Sequence, residues 1–287
     1  MNYKVDLVVP YVNCTDPAWL EQFNEYRSLS KDVQNGLMRY RDSGTLELVL
    51  MSVQKFTPWI NNIYLIVSSE SQVPKELDSN VRVILHKDYI PEQYLPLFSS
   101  LALEVFLPFL PNVSNRFLYL NDDMIFTSPA KFTNFFSSKG DPLSTVKVVR
   151  ATQHENNNLL NAYNLITGQN QKLKELKTLH GPAAFRKDWL LECYQKFETE
   201  LLGSISPTKR STLDCGQYVY QFYQLVYKQS VYKVFNWKSF PNNIKRYESF
   251  DWTTLSDYVG ICMNDCNQGS IEKYVNIVKN HIESYGQ

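Results

Sequence analysis

Phe117-Leu118-Tyr119-Leu120 runs directly into Asn121-Asp122-Asp123, so an apolar strand stops on an amide and two carboxylates. Adjacent acids repel each other and cost free energy to desolvate, so a strand buried in a core does not end this way without a reason. At the carboxyl end of a strand in an α/β sheet, such residues point into the crevice where ligands bind. One use for them is to hold a divalent cation that bridges phosphate oxygens, since Mg²⁺ takes one or two carboxylates together with substrate phosphate. The other is an acidic turn in which Asn121 and Asp122 cap the next segment.

The first half of the chain supplies the segments that such a sheet needs. Residues 5–9 read as a short buried strand closed by Pro10, and Ile63–Val67 and Val81–Leu85 as two core strands rich in β-branched residues. Helices are expected over about 18–27, from 45 to just before Pro58, and over 101–110. The second of these carries Leu46, Val49, Leu50 and Val53 on one face. Strands separated by helices predict an α/β fold: a Rossmann-like (GT-A-like), mostly parallel sheet flanked by helices. Beyond 146–150 the pattern turns mainly helical, with helices expected over about 156–166, 188–199, 215–227 and 270–284. No Gly/Ser linker intervenes. The expectation is therefore one domain over 1–287, with an α/β core at 1–150 and a helical C-terminal lid at 151–287.

Charge and composition exclude some classes. Lys plus Arg and Asp plus Glu number 29 each, so no global field favours nucleic acid, and any anion site is local. No apolar run approaches the roughly 18 residues that span a bilayer. The opening Met1-Asn2-Tyr3-Lys4-Val5-Asp6 leads into a strand without a signal peptide, which predicts a cytoplasmic protein. Five cysteines, an odd number and widely scattered, fit free thiols in a reducing setting. Cys262 and Cys266 have half the spacing of a zinc site but no second Cys/His pair.

Several further residues suit chemistry. Asp6 lies inside an apolar strand, where a carboxylate either caps neighbouring backbone or reaches the crevice. Asn13 and Asp16 follow that strand, where a nucleotide base or ribose docks; Asp16 before Pro17 also reads as a helix N-cap. Arg39-Tyr40-Arg41-Asp42 precedes a helix start and suits a diphosphate clamp, or else a solvated basic turn. His180 lies on the His180-Gly181-Pro182 turn, and a histidine can act as base for a sugar hydroxyl, although lone histidines also serve surfaces and packing. Arg210 is a cation placed to neutralise a transferring phosphoryl group. Asn264-Asp265 repeats the Asn-Asp pairing of Asn121-Asp122 and is compatible with one divided metal site.

Taken in order, these segments resemble the four conserved blocks of the Stealth family of sugar-1-phosphate transferases, which includes bacterial capsule polymerases and the animal lysosomal-enzyme GlcNAc-1-phosphotransferase. The first block resembles Asp6 to Pro17. The second resembles Arg39 to Asp42, Leu46-Glu47, Ser52-Val53, Pro58-Trp59-Ile60 and Ile63–Val67, then Leu95 to Ser100, Glu104 and Arg116 to Asp123. The third resembles His180-Gly181-Pro182 with Arg210, and the fourth Cys262 to Asp265. Cys14 stands where the family usually has Gly, and Phe98-Ser99-Ser100-Leu101 where it has Phe-Asn-Ser-His.

The resemblance implies transfer of a hexose-1-phosphate, such as a HexNAc-1-phosphate, from a UDP-sugar to a carbohydrate hydroxyl. The product is a phosphodiester, and UMP leaves. It further implies capsule or cell-surface polysaccharide synthesis at the inner face of a bacterial membrane, with a nucleotide-sugar donor and a glycan acceptor as partners. Mg²⁺ or Mn²⁺ would be held by Asp122 and Asp123 with Asp265 and Asn264. His180 would act as base, with Arg41, Arg210 and Asp123 completing the catalytic set. Asp6, Asn13, Asp16, Arg39, Asp42, Asn121, Ser100 and Glu104 would bind substrate. The 1–150 core would take the donor and the remainder the acceptor. The competing expectation is a metal-dependent glycosyltransferase, which attacks the anomeric carbon and releases UDP.

Overall fold

A computed structural model describes residues 3–29, 37–149, 157–169, 175–205, 213–240, 243–266 and 270–287. Its main sheet has five strands: β1 (Val5–Pro10), β2 (Ile63–Val67), β3 (Val81–Leu85), β4 (Arg116–Tyr119) and, at the edge, β8 (Ala183–Arg186). Their spatial order is β3-β2-β1-β4-β8. The first four are parallel, and β8 runs antiparallel to β4, with Leu118 opposite Ala184. The fold is thus mixed α/β with a mostly parallel, Rossmann-like and GT-A-like sheet. β2 is buried at every position, the mark of a central parallel strand covered on both faces. β3, at the free edge, exposes Arg82 and Val83.

Strand order fixes where a ligand belongs. From β1 the chain builds outward through β2 to β3, then returns to the other side of β1 as β4. Between the carboxyl ends of β1 and β4, successive connections depart in opposite directions, and this switch point opens the crevice. Tyr11 to Asp16 leave β1 there, and Asn121 to Asp123 leave β4 there.

Each face of the sheet has its own core. Val5, Leu7 and Val9 of β1, with Leu118 of β4, pack towards α2 (Thr45–Phe56) and the C-terminal helix α8 (Glu272–Ser284). Val8 of β1, with Phe117 and Tyr119 of β4, faces α5 (Lys187–Ser204) and α6 (Tyr218–Tyr227). This alternation is the period of two that a pleated strand imposes. A separate aromatic box of Trp19, Phe23, Tyr40 and Phe98 anchors α1 (Pro17–Leu29) beside the crevice.

The second half is mainly helical, as expected, but it also holds strands that the sequence reading did not anticipate. Helices α4 (Asn157–Thr167), α5, α6 and α8 fall where periodicity predicts them, and α7 (Ile244–Glu248) adds one turn. The same half also supplies β7 (Glu175–Thr178), β8, β9 (Trp237–Phe240) and β10 (Gly260–Met263). β7 pairs with β6 (Val146–Val149), and β10 lies between β9 and the short β5 (Met124–Phe126) in a second sheet. Strands of three or four residues carry too little pattern to be read from sequence. The predicted 101–110 helix is instead α3 (Ser100–Glu104) followed by a separate 3₁₀ turn at Leu107–Phe109. On α8, Tyr274, Val278 and Ile282 are buried, so its apolar face is spent on the core. Among the described residues no helix is long and apolar enough to cross a membrane.

Candidate active site

Asn121 to Asp123 form the step by which the chain leaves the main sheet at β4 and enters the second sheet at β5. Asn121 accepts the Met124 N–H on its carbonyl at 3.1 Å, which makes the turn. Within it, Asp123 is gripped by β10: its carbonyl accepts the Met263 N–H at 2.8 Å, and its Oδ2 accepts the Cys262 S–H at 3.3 Å. Its other oxygen, Oδ1, is buried without a partner. Burial raises the Asp123 carboxyl above its ordinary range, while nearby His180 and the Cys262 S–H pull it back down. Burial also raises Asp122, and the charges of Asp123 and Asp42 push it further. Three carboxyl groups from two separate loops therefore crowd the switch point.

Asp42 is fixed on both oxygens. Oδ2 accepts the Tyr11 hydroxyl at 2.7 Å, and Oδ1 accepts the Gly44 N–H at 2.8 Å, just ahead of α2. Gly44 takes a φ of 77°, a left-handed conformation that glycine adopts at no steric cost. Burial and Asp42 together hold the Tyr11 phenol protonated, far above the usual tyrosine range.

His180 is exposed, and its backbone is pinned: the carbonyl accepts the Ser239 hydroxyl of β9 at 3.0 Å. The following Gly181 lies on the Trp237 indole, where an added Cβ would come within 3.1 Å of the ring. A cavity of about 230 Å³ opens beside His180, with Asn121, Ser100, Glu104, Gln217 and Gln221 among its walls. Imidazole, acid pair and cavity thus share one end of the sheet.

The remaining predicted residues fall in four groups. Arg41 and Asp265 meet in an ion pair at 2.6 Å, and Asn264 is tied to Phe240 O through its amide at 2.6 Å. Asn13 and Asp16 lie beside the crevice but serve local structure. Asn13 Oδ1 takes the Thr15 N–H at 2.9 Å, and Asp16 caps α1 through the Ala18 N–H while accepting Gln72 Nε2 at 2.8 Å. Asp6 departs from expectation: it sits at the amino end of β1, opposite the crevice. There it accepts both Asn61 and Asn62 side chains and the Ser114 N–H, bracing the loops ahead of β2 and β4. Full burial, with its oxygens taken by donors from these two loops, makes it a brace for them instead of a pocket wall. Arg210 lies outside the described residues, as does the side chain of Arg39.

Sequence reasoning missed Tyr11, Cys262 as a thiol donor to Asp123, and the amides Gln217, Gln221 and Asn158 around the cavity. Gln217 is the N-cap residue of α6 and Gln221 lies in its first turn, where a glutamine carries no pattern of its own; only the packing of α6 beside Glu104 and the cavity gives them a role.

The donor set suits a hard divalent cation. Asp123 offers a buried, unpartnered oxygen, and Asp122 is held at a raised free energy by like charge that a cation would relieve. Among the described residues no three His, Cys, Asp or Glu side chains form a ready-made cage. The fit is that of two carboxylates completed by substrate oxygens, with Asp265 engaged by Arg41.

Residues 39–144 match the region described as Stealth protein CR2, conserved region 2, so the sequence resemblance holds there. The chain is 37% identical over 145 residues to the receptor polysaccharide phosphotransferase WefC of Streptococcus oralis, covering 48% of this chain and 43% of that protein. It is 25% identical to a capsular polysaccharide phosphotransferase of Actinobacillus suis, covering 98% of this chain and 82% of that one. With the capsular polysaccharide phosphotransferase SacB of Neisseria meningitidis serogroup A, it shares 28% identity over 92% of this chain and 52% of that protein. The chain thus spans under half the length of the Streptococcus oralis relative it matches.

Proposed function

We propose that this chain, which carries the Stealth conserved region 2, transfers a hexose-1-phosphate from a UDP-sugar to a carbohydrate hydroxyl. A phosphodiester forms and UMP is released, in the synthesis of a capsular or cell-surface polysaccharide. The observation that carries the reading is the convergence of His180, Asp122 and Asp123 at the switch point, beside a cavity of about 230 Å³. The family match at 39–144 and the relatives' names support the reaction class.

In this reading the acceptor hydroxyl lies against His180, which takes its proton as the oxygen attacks the β-phosphorus. The bond from that phosphorus to the bridging oxygen breaks, and UMP leaves with the electron pair. Phosphoryl transfer asks the protein mainly for positioning and charge neutralisation. Asp122 and Asp123 would hold Mg²⁺ or Mn²⁺, which when bound offsets negative charge on the diphosphate. Arg41, aligned by Asp265, supplies cationic stabilisation at the first-strand side of the crevice, and Arg210 does so from the third block. Asn121 at the cavity wall orients the acceptor.

Incubation with a panel of UDP-hexoses, Mg²⁺ and a short glycan primer tests this by its nucleotide product. UMP is the expected product. UDP as the sole product would mean attack at the anomeric carbon, and would replace phosphotransfer by glycosyl transfer.

A further inference from the structure

We propose that Cys262 is a positioning residue: its thiol occupies one oxygen of Asp123 and so leaves the other, Oδ1, as the oxygen offered to a divalent cation. The assignment rests on the cation site of the phosphotransfer reading and adds to it a residue that acts only through Asp123.

β10 delivers the thiol. Cys262 stands opposite Met124 of β5 on one side and Ser239 of β9 on the other, and it is fully buried. Pairing on both sides fixes its backbone, so the sulfur cannot leave Asp123 unless the second sheet moves. The next residue, Met263, donates its N–H to the Asp123 carbonyl at 2.8 Å. Backbone and side chain of Asp123 are therefore held by successive residues of one strand.

The hydrogen bonds run one way. An amide nitrogen only donates, and an ionised carboxylate only accepts. Asn264 Nδ2 donates to the Phe240 carbonyl at 2.6 Å and to the Cys262 sulfur at 3.5 Å. Because the sulfur accepts there, its own proton is left for Asp123 Oδ2, at 3.3 Å. The relay ends on a carboxylate whose Oδ1 is buried and without a partner. Such an oxygen costs free energy that a bound cation would relieve. A carboxylate free to turn would lose entropy on being held against a cation. The thiol fixes its orientation beforehand, as groups behind metal ligands do. A thiol is also a weak donor, so Oδ2 is held without being neutralised.

Mn²⁺ binding, read without turnover, tests the proposal. The whole chain is titrated with Mn²⁺ in the presence of UDP, and free Mn²⁺ is followed by its EPR signal. Cys262→Ala should weaken binding by about tenfold or more, as loss of a group behind a metal ligand does. Cys262→Val, which fills the space without a donor, should do the same. Cys262→Ser keeps a donor and should stay within about threefold of the parent. Urea unfolding without metal should rank the variants the other way. Ser should be the least stable, since burying a hydroxyl costs more than burying a thiol.

Mn²⁺ affinities that follow stability, with Ser the weakest binder, would make Cys262 a packing residue and end the proposal. Equal affinity in the parent and in folded Ala and Val variants would also overturn it, while leaving the cation site intact. No Mn²⁺ binding by the parent, with or without UDP, would remove the cation site and this assignment together. UDP in place of UMP as the reaction product would replace the phosphotransfer reading and leave the Cys262 assignment standing on its Mn²⁺ affinities.

Discussion

In the proposed reaction, His180 and the acid pair have separate tasks at the residue scale. If His180 takes the acceptor proton, His180→Ala should lower kcat by about 10²–10⁴-fold while donor affinity changes little. Equal losses in both would point to a packing role for the ring. The acids make a second, opposite prediction about stability. Asp122 is raised in the folded chain by burial and by Asp123 and Asp42. On raising the pH above the ordinary carboxylate range, the unfolded chain releases this proton first, so stability is lost until the folded group ionises too. Asp122→Asn removes that penalty. Without metal it should melt higher than the parent by ~2–4 °C per kcal/mol recovered at pH 7, with the gap closing towards pH 4, while activity disappears. A lower melting point at pH 7 would mean the carboxylate is stabilising.

At the scale of elements, β10 deserves the closest mutational test, because it carries Cys262 and Met263 to Asp123. Gly260 begins it, and a Cβ there would lie 2.3 Å from Trp237 and 2.5 Å from the Ile125 carbonyl. Gly260→Ala should destabilise by ~3 kcal/mol or more in urea unfolding, since neither ring nor backbone has space to yield. The turn after β3 gives a pH dependence of its own. Burial lowers His86 from 6.5 to about 4. This depressed value means stability is complete above 6.5 and falls as acid protonates the unfolded chain first. About 3 kcal/mol should be lost between pH 7 and pH 4. His86→Leu should flatten that slope; an unchanged slope would mean that other groups govern it.

These elements also show what a sequence makes legible. β1, β2 and β4 could be read because buried parallel strands are nearly continuous apolar runs, β3 because it is rich in β-branched residues, and α2 because its apolar face repeats every turn. Asp122, Asp123 and His180 were visible as chemistry at element ends. β8, β9 and β10 were not, since these four-residue segments are embedded among helical and loop sequence and their apolar character comes from what they pack against. Asp6 shows the converse: a carboxylate in a strand announces a function or a cap, and only the position of Asn61, Asn62 and Ser114 decides for the cap.

Over the whole molecule, the site is drawn from both ends of the chain. Arg41 and Asp265 bridge 224 positions in sequence, yet at 45% and 16% side-chain exposure the pair contributes at most ~1 kcal/mol to stability. In the proposed reaction its value is to aim Arg41. If Arg41 and a divalent cation act as proposed, Asp265→Asn should leave urea stability nearly unchanged and the Mg²⁺ dependence of turnover within about threefold, while the donor KM rises as Arg41 loses its guide. A shift of ~10–100-fold in Mg²⁺ affinity would instead make Asp265 a metal partner.

The step from β4 to β5 has a practical meaning for anyone who builds hybrids of such proteins. Because β8 borders the strand that delivers the acids, and β10 holds them from the other side, exchanging everything after residue 150 with a relative would graft foreign walls onto a native floor. Crossovers that respect the interleaving would have to carry 116–126, 183–186 and 260–263 together, as one inheritance.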